Sequence, residues 1–245
     1  MIAADTTRSR AYLQALVRHE LFPNHVLVLN DKINQYLPGQ VLSSEEHRIN
    51  MENESHDECW SESNFKIHEP ILSTLTMYDI NHEITGHHDI NTSIVVDNVR
   101  SRPEQVFIYS GFGGVILRDD ILETGKQFLH VHGGYLPDYK GSTTNYYSLI
   151  IEEMIGASSL FLNSEIDSGH VLIRKKFPPP PNRQEMDHIF DSAARSKVLV
   201  DTIQSYLKKG GWDFDKDADR DGETYYIIHP VLKHIAILAK NDVSV

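Results

Sequence analysis

One continuous stretch, residues 128–169, constrains the fold more than any other part of the chain. An apolar run at 128–131 leads into two histidines two positions apart, His130 and His132. Two glycines, a Leu-Pro pair and a Lys-Gly pair follow, and residues of these types force the chain into a loop. A second apolar run follows, and after it come Asp167 and, two positions later, another glycine, Gly169. This order predicts two short strands that end in polar side chains.

The same stretch resembles the signature of the folate-dependent formyltransferases, the family of methionyl-tRNA, glycinamide ribonucleotide and amino-sugar N-formyltransferases. In that signature an Asn-x-His strand end precedes Leu-Pro, a basic residue and glycine, and an Asp-x-Gly follows a later strand. The residues in register with it are His132, Leu136, Pro137, Lys140, Gly141, Asp167 and Gly169. The resemblance covers about residues 104–175, and His130 occupies the position of the family's catalytic asparagine.

The resemblance implies a catalytic set of His130, His132 and Asp167. Formyl transfer from N10-formyltetrahydrofolate to an amine is acyl transfer through a tetrahedral intermediate. It needs a proton acceptor near the amine and a fixed hydrogen-bond donor for the oxyanion. His130 and His132 share one strand face because side chains alternate with a period of two. We expect His132 to act as acid/base and oxyanion donor, with Asp167 as the partner that favours its imidazolium form.

His130 leaves several functions open. An imidazole can donate one hydrogen bond where the asparagine amide would, with different geometry and charge. The residue is therefore either a working substitute tuned to a particular amine, or the mark of a site that hydrolyses the formyl donor or runs another acyl chemistry. A non-catalytic folate- or metabolite-binding protein on the same fold is the alternative from a different functional class.

A glycine-rich segment directly after the predicted strand at 106–110 is the candidate binding site for the formyl donor. Glycines at the carboxyl end of a strand let a ligand approach the backbone, although a plain strand-to-helix turn would use them too. The resemblance implies that the folate pterin binds there. The candidate cofactor-binding residues are Gly111, Phe112, Gly113, Gly114, Val115, Ile116, Ser164 and Glu165, and the candidate substrate-binding residues are Tyr135, Lys140 and Tyr146.

Charge and composition limit the partners. The formal net charge is −12, which disfavours a polyanionic partner such as tRNA. The chain shows neither the basic C-terminal domain of the methionyl-tRNA enzymes nor a glycine-rich phosphate loop after the first strand, as in the glycinamide ribonucleotide enzymes. We also do not expect the N-terminal regulatory domain of the formyltetrahydrofolate hydrolases. Elimination leaves the amino group of a small metabolite, in particular a nucleotide-linked amino sugar.

We expect a cytoplasmic protein without nucleic-acid or membrane partners. No apolar run approaches the roughly 20 residues that span a bilayer, and no secretion signal is visible. A single cysteine, Cys59, agrees with a reducing compartment. The apolar segment at 231–239 could form the contact of a homodimer.

The order of apolar runs predicts an α/β fold. Strands are predicted at 1–4, 25–30, 106–110, 128–131, 160–162 and 170–174, and helices at 11–21, 147–155 and 182–208. With the resemblance, this gives a formyltransferase-like, Rossmann-like domain over residues 1–210, in which helices flank a mostly parallel sheet. Residues 31–90 are expected to be an insertion, and residues 211–245 a short C-terminal extension.

Two segments match metal-binding patterns only in part. The histidines and Cys59 between residues 47 and 68 lack the paired spacing of a zinc site. From Asp217 the pattern Asp-x-Asp-x-Asp-Gly matches the first half of a calcium loop, but Ile228 stands where the loop needs a bidentate glutamate. We therefore expect an acidic surface loop and no metal site.

Overall fold

A seven-stranded sheet forms the centre of the computed structural model, which describes residues 1–30, 58–61, 64–164 and 167–239. The strands are β1 (Ile2–Ala4), β2 (Val26–Leu29), β3 (His82–Ile84), β4 (Val106–Ser110), β5 (Gln127–His132), β6 (Tyr139–Gly141), β7 (Ile155–Phe161), β8 (Val171–Phe177) and β9 (Glu223–Tyr225). The sheet has the order β3-β2-β1-β4-β5-β7-β8, whereas β6 and β9 pair separately. Strands β1 to β5 are parallel, and β7 and β8 are antiparallel additions. The predicted α/β class with a mostly parallel sheet is confirmed.

Helices cover both faces of this sheet. They are α1 (Thr7–Arg18), α2 (Glu58–Ser61), α3 (Ile71–Met77), α4 (Ser93–Ser101), α5 (Asp119–Leu122), α6 (Thr144–Glu152), α7 (Asp191–Lys209) and α8 (Pro230–Leu238). Helix α1 begins earlier than the predicted 11–21 because the Thr6 hydroxyl caps it by accepting a hydrogen bond from the Ser9 N–H. Helix α7 ends at Lys209, and the residue that follows it, Gly210, takes the left-handed conformation with φ +70°.

Alternating residues of the central strands fill two cores, one on each face of the sheet. Ala3, Val26, Val28, Leu129 and Val131 face the layer of α1, α3 and α7. Their sequence neighbours Ile2, Leu27, Phe107, Tyr109 and Phe128 face the layer of α4 and α5. Because the period is two, His130 and His132 lie on the strand face that Phe128 occupies.

Two predicted elements near the signature are displaced in the structure. The helix predicted at 147–155 is α6, which ends at Glu152 because Glu153 adopts a left-handed φ of +56°. Because the helix has ended, Ile155 can begin β7, and the strand predicted at 160–162 therefore starts earlier, at Ile155. Pairing with β5 on one side and β8 on the other draws the whole of β7 into the sheet.

The carboxyl-terminal part of the segment expected to be an insertion, residues 31–90, contributes a strand to the main sheet. Residues 31–57, 62 and 63 of that range lie outside the described residues. Helix α3 buries Ile71 and Leu75 against the core that contains α1, and β3 pairs in parallel with β2. None of the helices in the described ranges is both long enough and apolar enough to cross a membrane.

Candidate active site

His132 ends β5 and is held at both ring nitrogens. Its Nδ1 lies 3.3 Å from Oδ2 of Asp167, and its Nε2 donates to the backbone oxygen of Tyr139 at 2.8 Å. The residue is only 5% exposed. The structure thus brings together His132 and Asp167, which β6, α6 and β7 separate in the sequence.

Asp167 reaches this position through an unusual backbone conformation, with φ +51°. Its Oδ2 also accepts a hydrogen bond from the Gly141 N–H at 3.0 Å. Burial alone would raise the pKa of the carboxyl, but His132, His130 and the Gly141 N–H lower it to about 2. Gly169 is required nearby because a Cβ there would lie 1.7 Å from the backbone oxygen of Phe161.

His130 lies at the same strand end and contacts the neighbouring strand β4. Its Nδ1 is 3.3 Å from the backbone oxygen of Tyr109, and the two rings lie 6.2 Å apart. Burial lowers the pKa of His130 to about 3, helped by the nearby Arg8 and Arg195 guanidinium groups and opposed by Asp167. The imidazole is therefore neutral at physiological pH.

Arg195, on α7, connects the helix layer to the strand that carries both histidines. Its Nη1 donates to the backbone oxygen of Val131 at 3.0 Å, and its Nε lies 2.7 Å from Oδ2 of Asp191. Burial by itself would lower the pKa of the Arg195 guanidinium. The nearby Asp191 carboxylate has the larger net effect, because it favours the charged form, and the pKa of Arg195 is raised. Asp191 also accepts from Asn145, whose side-chain oxygen accepts from the Gly156 N–H at 2.8 Å.

Arg8, at the start of α1, supports the glycine-rich loop after β4. Its Nη2 donates to the backbone oxygen of Gly111 at 2.6 Å, and its Nε donates to the Ser110 hydroxyl at 3.2 Å. The sequence analysis missed both Arg8 and Arg195. For the second, the available signal was Asp191 and Arg195 at i, i+4 spacing inside a predicted helix, since charges on a helix that packs against a sheet are usually paired.

The glycine-rich loop, residues 111–116, joins β4 to α5 and is largely exposed. Phe112 is 36% exposed and Ile116 61%. Gly114 has φ +78°, which favours glycine, and a Cβ added at Gly113 or Gly114 would meet no atom within 4 Å. Gly111 is different, because a Cβ there would lie 2.4 Å from the Tyr109 hydroxyl. The loop therefore presents open backbone beside the strand ends that carry the histidines.

The remaining predicted residues occupy three different environments. Ser164 is exposed after β7, and Glu165 lies outside the described residues. The half-buried ring of Tyr135 lies beneath the cationic groups of β8, at 4.8 Å from Arg174 and 5.0 Å from Lys176. Lys140 is half-buried on β6, whereas Tyr146 is 2% exposed. The Tyr146 ring packs in the core under Lys233, so its position is that of a packing residue.

A surface cavity of about 480 Å³ lies beside β6 and β9. The Tyr139 ring lines it, together with Glu152, Lys176 and Tyr225, and it contains none of the predicted site residues. Across the described ranges, no group of three or more His, Cys, Asp and Glu side chains is arranged to hold a metal ion.

Comparison with known proteins connects this geometry to a family. No family model matches the chain. A methionyl-tRNA formyltransferase of Desulfotalea psychrophila is 31% identical over 124 residues, which is 49% of this chain and 38% of that enzyme. The chain is therefore similar in sequence to a methionyl-tRNA formyltransferase over about half of its own length. It matches well under half the length of this curated relative.

The formyltransferase fold extends over nearly the whole chain. A sugar N-formyltransferase from a Shewanella species superposes with a TM-score of 0.55 at 13% identity, covering 97% of this chain and 85% of that one. An N-formyltransferase from Helicobacter canadensis, solved with folinic acid and dTDP-3-aminofucose, gives a TM-score of 0.52 at 14% identity and covers 92% and 69%. The formyltransferase-like fold expected from the sequence is therefore confirmed.

Proposed function

We propose that this chain transfers the formyl group of N10-formyltetrahydrofolate to the amino group of a small metabolite, with a nucleotide-linked amino sugar as the first candidate. The observation that carries the proposal is the buried His132–Asp167 pair, at 3.3 Å, beside His130 on the same strand end. A site of this kind offers proton transfer and a fixed charge at one place, as acyl transfer to an amine requires.

The formyl donor would bind along the loop of residues 111–116. The loop's exposed backbone leaves room for a planar ring, and Arg8 fixes its first carbonyl. The parallel strands β4 and β5 bring this loop and the two histidines to one edge of the sheet, where α/β proteins bind their ligands. The Helicobacter canadensis relative in fold was solved with folinic acid, a formylated folate.

The proposed acceptor rests on charge and on the same relative. A net charge of −12 opposes binding of a long polyanion, since nucleic-acid affinity depends on phosphate contacts with Lys and Arg. The Helicobacter canadensis enzyme was solved with a nucleotide amino sugar. Methionyl-tRNA is the second candidate, because the curated relatives at 31% identity carry that activity in their names. We also propose a cytoplasmic location, in keeping with the single cysteine.

Two measurements test the proposal. The first is calorimetric binding of folinic acid to the wild type and to His132→Ala, with folding verified by circular dichroism. The second is turnover of N10-formyltetrahydrofolate with a nucleotide amino sugar, with methionyl-tRNA, and without an acceptor. Donor binding and amine-dependent tetrahydrofolate release would support the transferase. Formate release that no amine stimulates would identify a hydrolase, and a folded wild type without saturable binding would overturn the proposal.

A further inference from the structure

The His132–Asp167 pair rests on the backbone of one short strand, β6. Nε2 of His132 donates to the Tyr139 oxygen at 2.8 Å, and Oδ2 of Asp167 accepts from the Gly141 N–H at 3.0 Å. Tyr139 and Gly141 are two positions apart, and both present these backbone groups at the same edge of the strand. The separation and orientation of the two side chains therefore depend on where β6 lies.

The opposite edge of β6 is held by β9, from the segment expected to be a C-terminal extension. The two strands pair in parallel, and the Ser142 N–H donates to the Tyr225 oxygen at 2.9 Å. The backbones approach so closely that a Cβ added at Gly141 would lie 2.1 Å from the same oxygen. Among the described residues, β9 is the one strand that pairs with β6. Since a two-stranded sheet of this size is barely stable by itself, side-chain packing has to keep the two strands together.

Tyr225 supplies that packing. Its ring stacks on the Tyr139 ring, with the centroids 5.4 Å apart, and contacts the ring of Tyr147 on α6 at 4.6 Å. Aromatic pairs at these separations stabilise a structure beyond the area that they bury. The Tyr225 ring thereby joins β6 to the helix that follows it, whereas the next side chain, Tyr226, is 80% exposed.

The chain on either side of β9 is also attached to the residues that flank β6. Before β9, Arg220 forms an ion pair with Asp138. After β9, the Ile228 N–H donates to the Thr143 hydroxyl at 2.8 Å. The ion pair is largely exposed and adds little stability. The aromatic stack is therefore the principal side-chain anchor of β9.

We propose, on the basis of the proposed function, that Tyr225 is a positioning residue for the His132–Asp167 pair and acts through the backbone of β6. Residues 215–228 then belong to the structure of the active site and are not an appendage to it. The ring takes no part in proton transfer, so its loss should change the geometry of the pair. Binding of the formyl donor should persist, because Arg8 fixes the loop of residues 111–116 from a different part of the chain.

Variants at two adjacent tyrosines test the proposal. Tyr225→Ala removes the stack, Tyr225→Phe keeps the ring, and Tyr226→Ala is the matched control at the exposed neighbouring position. In Tyr225→Ala we expect kcat to fall by on the order of 10²-fold, the loss that a displacement of about 1 Å can cause. The kcat of Tyr225→Phe and Tyr226→Ala should stay within about threefold of the wild type, as should the dissociation constant of folinic acid in all three variants.

Hydrogen exchange measured by NMR distinguishes positioning from a general loss of stability. The Gly141 N–H and the ring N–H of His132 should be protected from exchange in the wild type. Both should exchange at least about tenfold faster in Tyr225→Ala, while the amides of β1 and β2 keep their protection. Wild-type kcat in Tyr225→Ala would overturn the proposal, and so would a loss of protection that extends equally to β1 and β2.

A second variant covers the case in which Tyr225→Ala does not fold. Tyr225→Leu keeps apolar volume without the stack, and the same changes in kcat and exchange are expected from it. Failure of the wild type to bind folinic acid would instead count against the proposed function. The exchange rates of Gly141 and His132 need no substrate, so the two failures are distinguishable.

Discussion

Arg195 donates a hydrogen bond from Nη1 to the backbone oxygen of Val131, 3.0 Å away, at the residue between the two histidines of the candidate site. The contact joins the longest described helix, α7, to the last residues of β5. Asp191, one helical turn earlier, neutralises the guanidinium at 2.7 Å. A rigid helix therefore fixes the strand end on which both histidines lie, which gives the site a support that its own loop does not provide.

Replacing Arg195 should destabilise the whole protein. In Arg195→Met the Asp191 carboxylate loses its cation in a largely buried position, and breaking such a pair costs about 3–5 kcal/mol. Urea unfolding measures the effect, and kcat should fall because the strand end loses its support. Lys175→Met removes a more exposed ion pair, with Asp201, and should cost no more than about 1 kcal/mol. Equal stabilities of the two variants would contradict this account.

Gly133 is predicted to tolerate no side chain. A Cβ there would lie 2.4 Å from both Nη2 of Arg195 and Oδ1 of Asp191, so Gly133→Ala must displace the ion pair. We expect a loss of about 1–3 kcal/mol in the free energy of unfolding, as for other overpacked sites. The control is Gly211→Ala, where an added Cβ meets nothing within 4 Å. A Gly133→Ala protein as stable as this control would show that the pair can move at no cost.

A substitution at Gly113 tests donor binding without a change in stability. Its Cβ would meet no protein atom within 4 Å, so Gly113→Ala should unfold like the wild type. If the loop at residues 111–116 binds the pterin through its backbone, the added methyl group should weaken folinic acid binding by about tenfold, or about 1.4 kcal/mol. Calorimetry measures both proteins under the same conditions. An unchanged affinity for folinic acid would show that the donor does not bind through this loop.

Asp167→Asn should show a pH-dependent loss of stability. The folded pKa of Asp167 is about 2, below its ordinary value of 3.8. The stabilisation is therefore fully present above about pH 4 and is lost as the pH falls toward 2. At pH 7 the variant should be less stable by on the order of 2 kcal/mol, and the difference should shrink at pH 3. Chemical unfolding of the wild type and the variant at pH 7 and pH 3 measures the difference in stability. A difference that is the same at both pH values would exclude ionisation of Asp167 as its cause.

The local features of the fold were predictable because they depend on neighbours in sequence. Apolar runs of the correct length placed the central strands β2, β4 and β5 within one or two residues of their observed bounds. The end of α6 was not predictable, since it depends on a left-handed Glu153, and glutamate carries no sequence signal for that conformation.

The candidate site was likewise predictable from the sequence only in part. A strand period of two predicts that His130 and His132 share a face, and the resemblance names Asp167, but neither fixes which ring nitrogen meets which oxygen. That assignment depends on the backbone of Tyr109 and Tyr139, which carries no side-chain identity. Arg8 and Arg195 approach from the two ends of the sequence, and only tertiary packing brings them to the site.

The pairing of β9 with β6 determines when during synthesis the site can form. Gly141, whose N–H binds Asp167, is paired with Tyr225, and the Ser142 N–H donates to the Tyr225 oxygen at 2.9 Å. A ribosome therefore has to add residues 223–225, long after both histidines have been made, before β6, whose Gly141 donates to Asp167, acquires its partner strand. All seven strands of the main sheet have been made once residue 177 is added, whereas the contact between His132 and Asp167 gains this support only after residue 225.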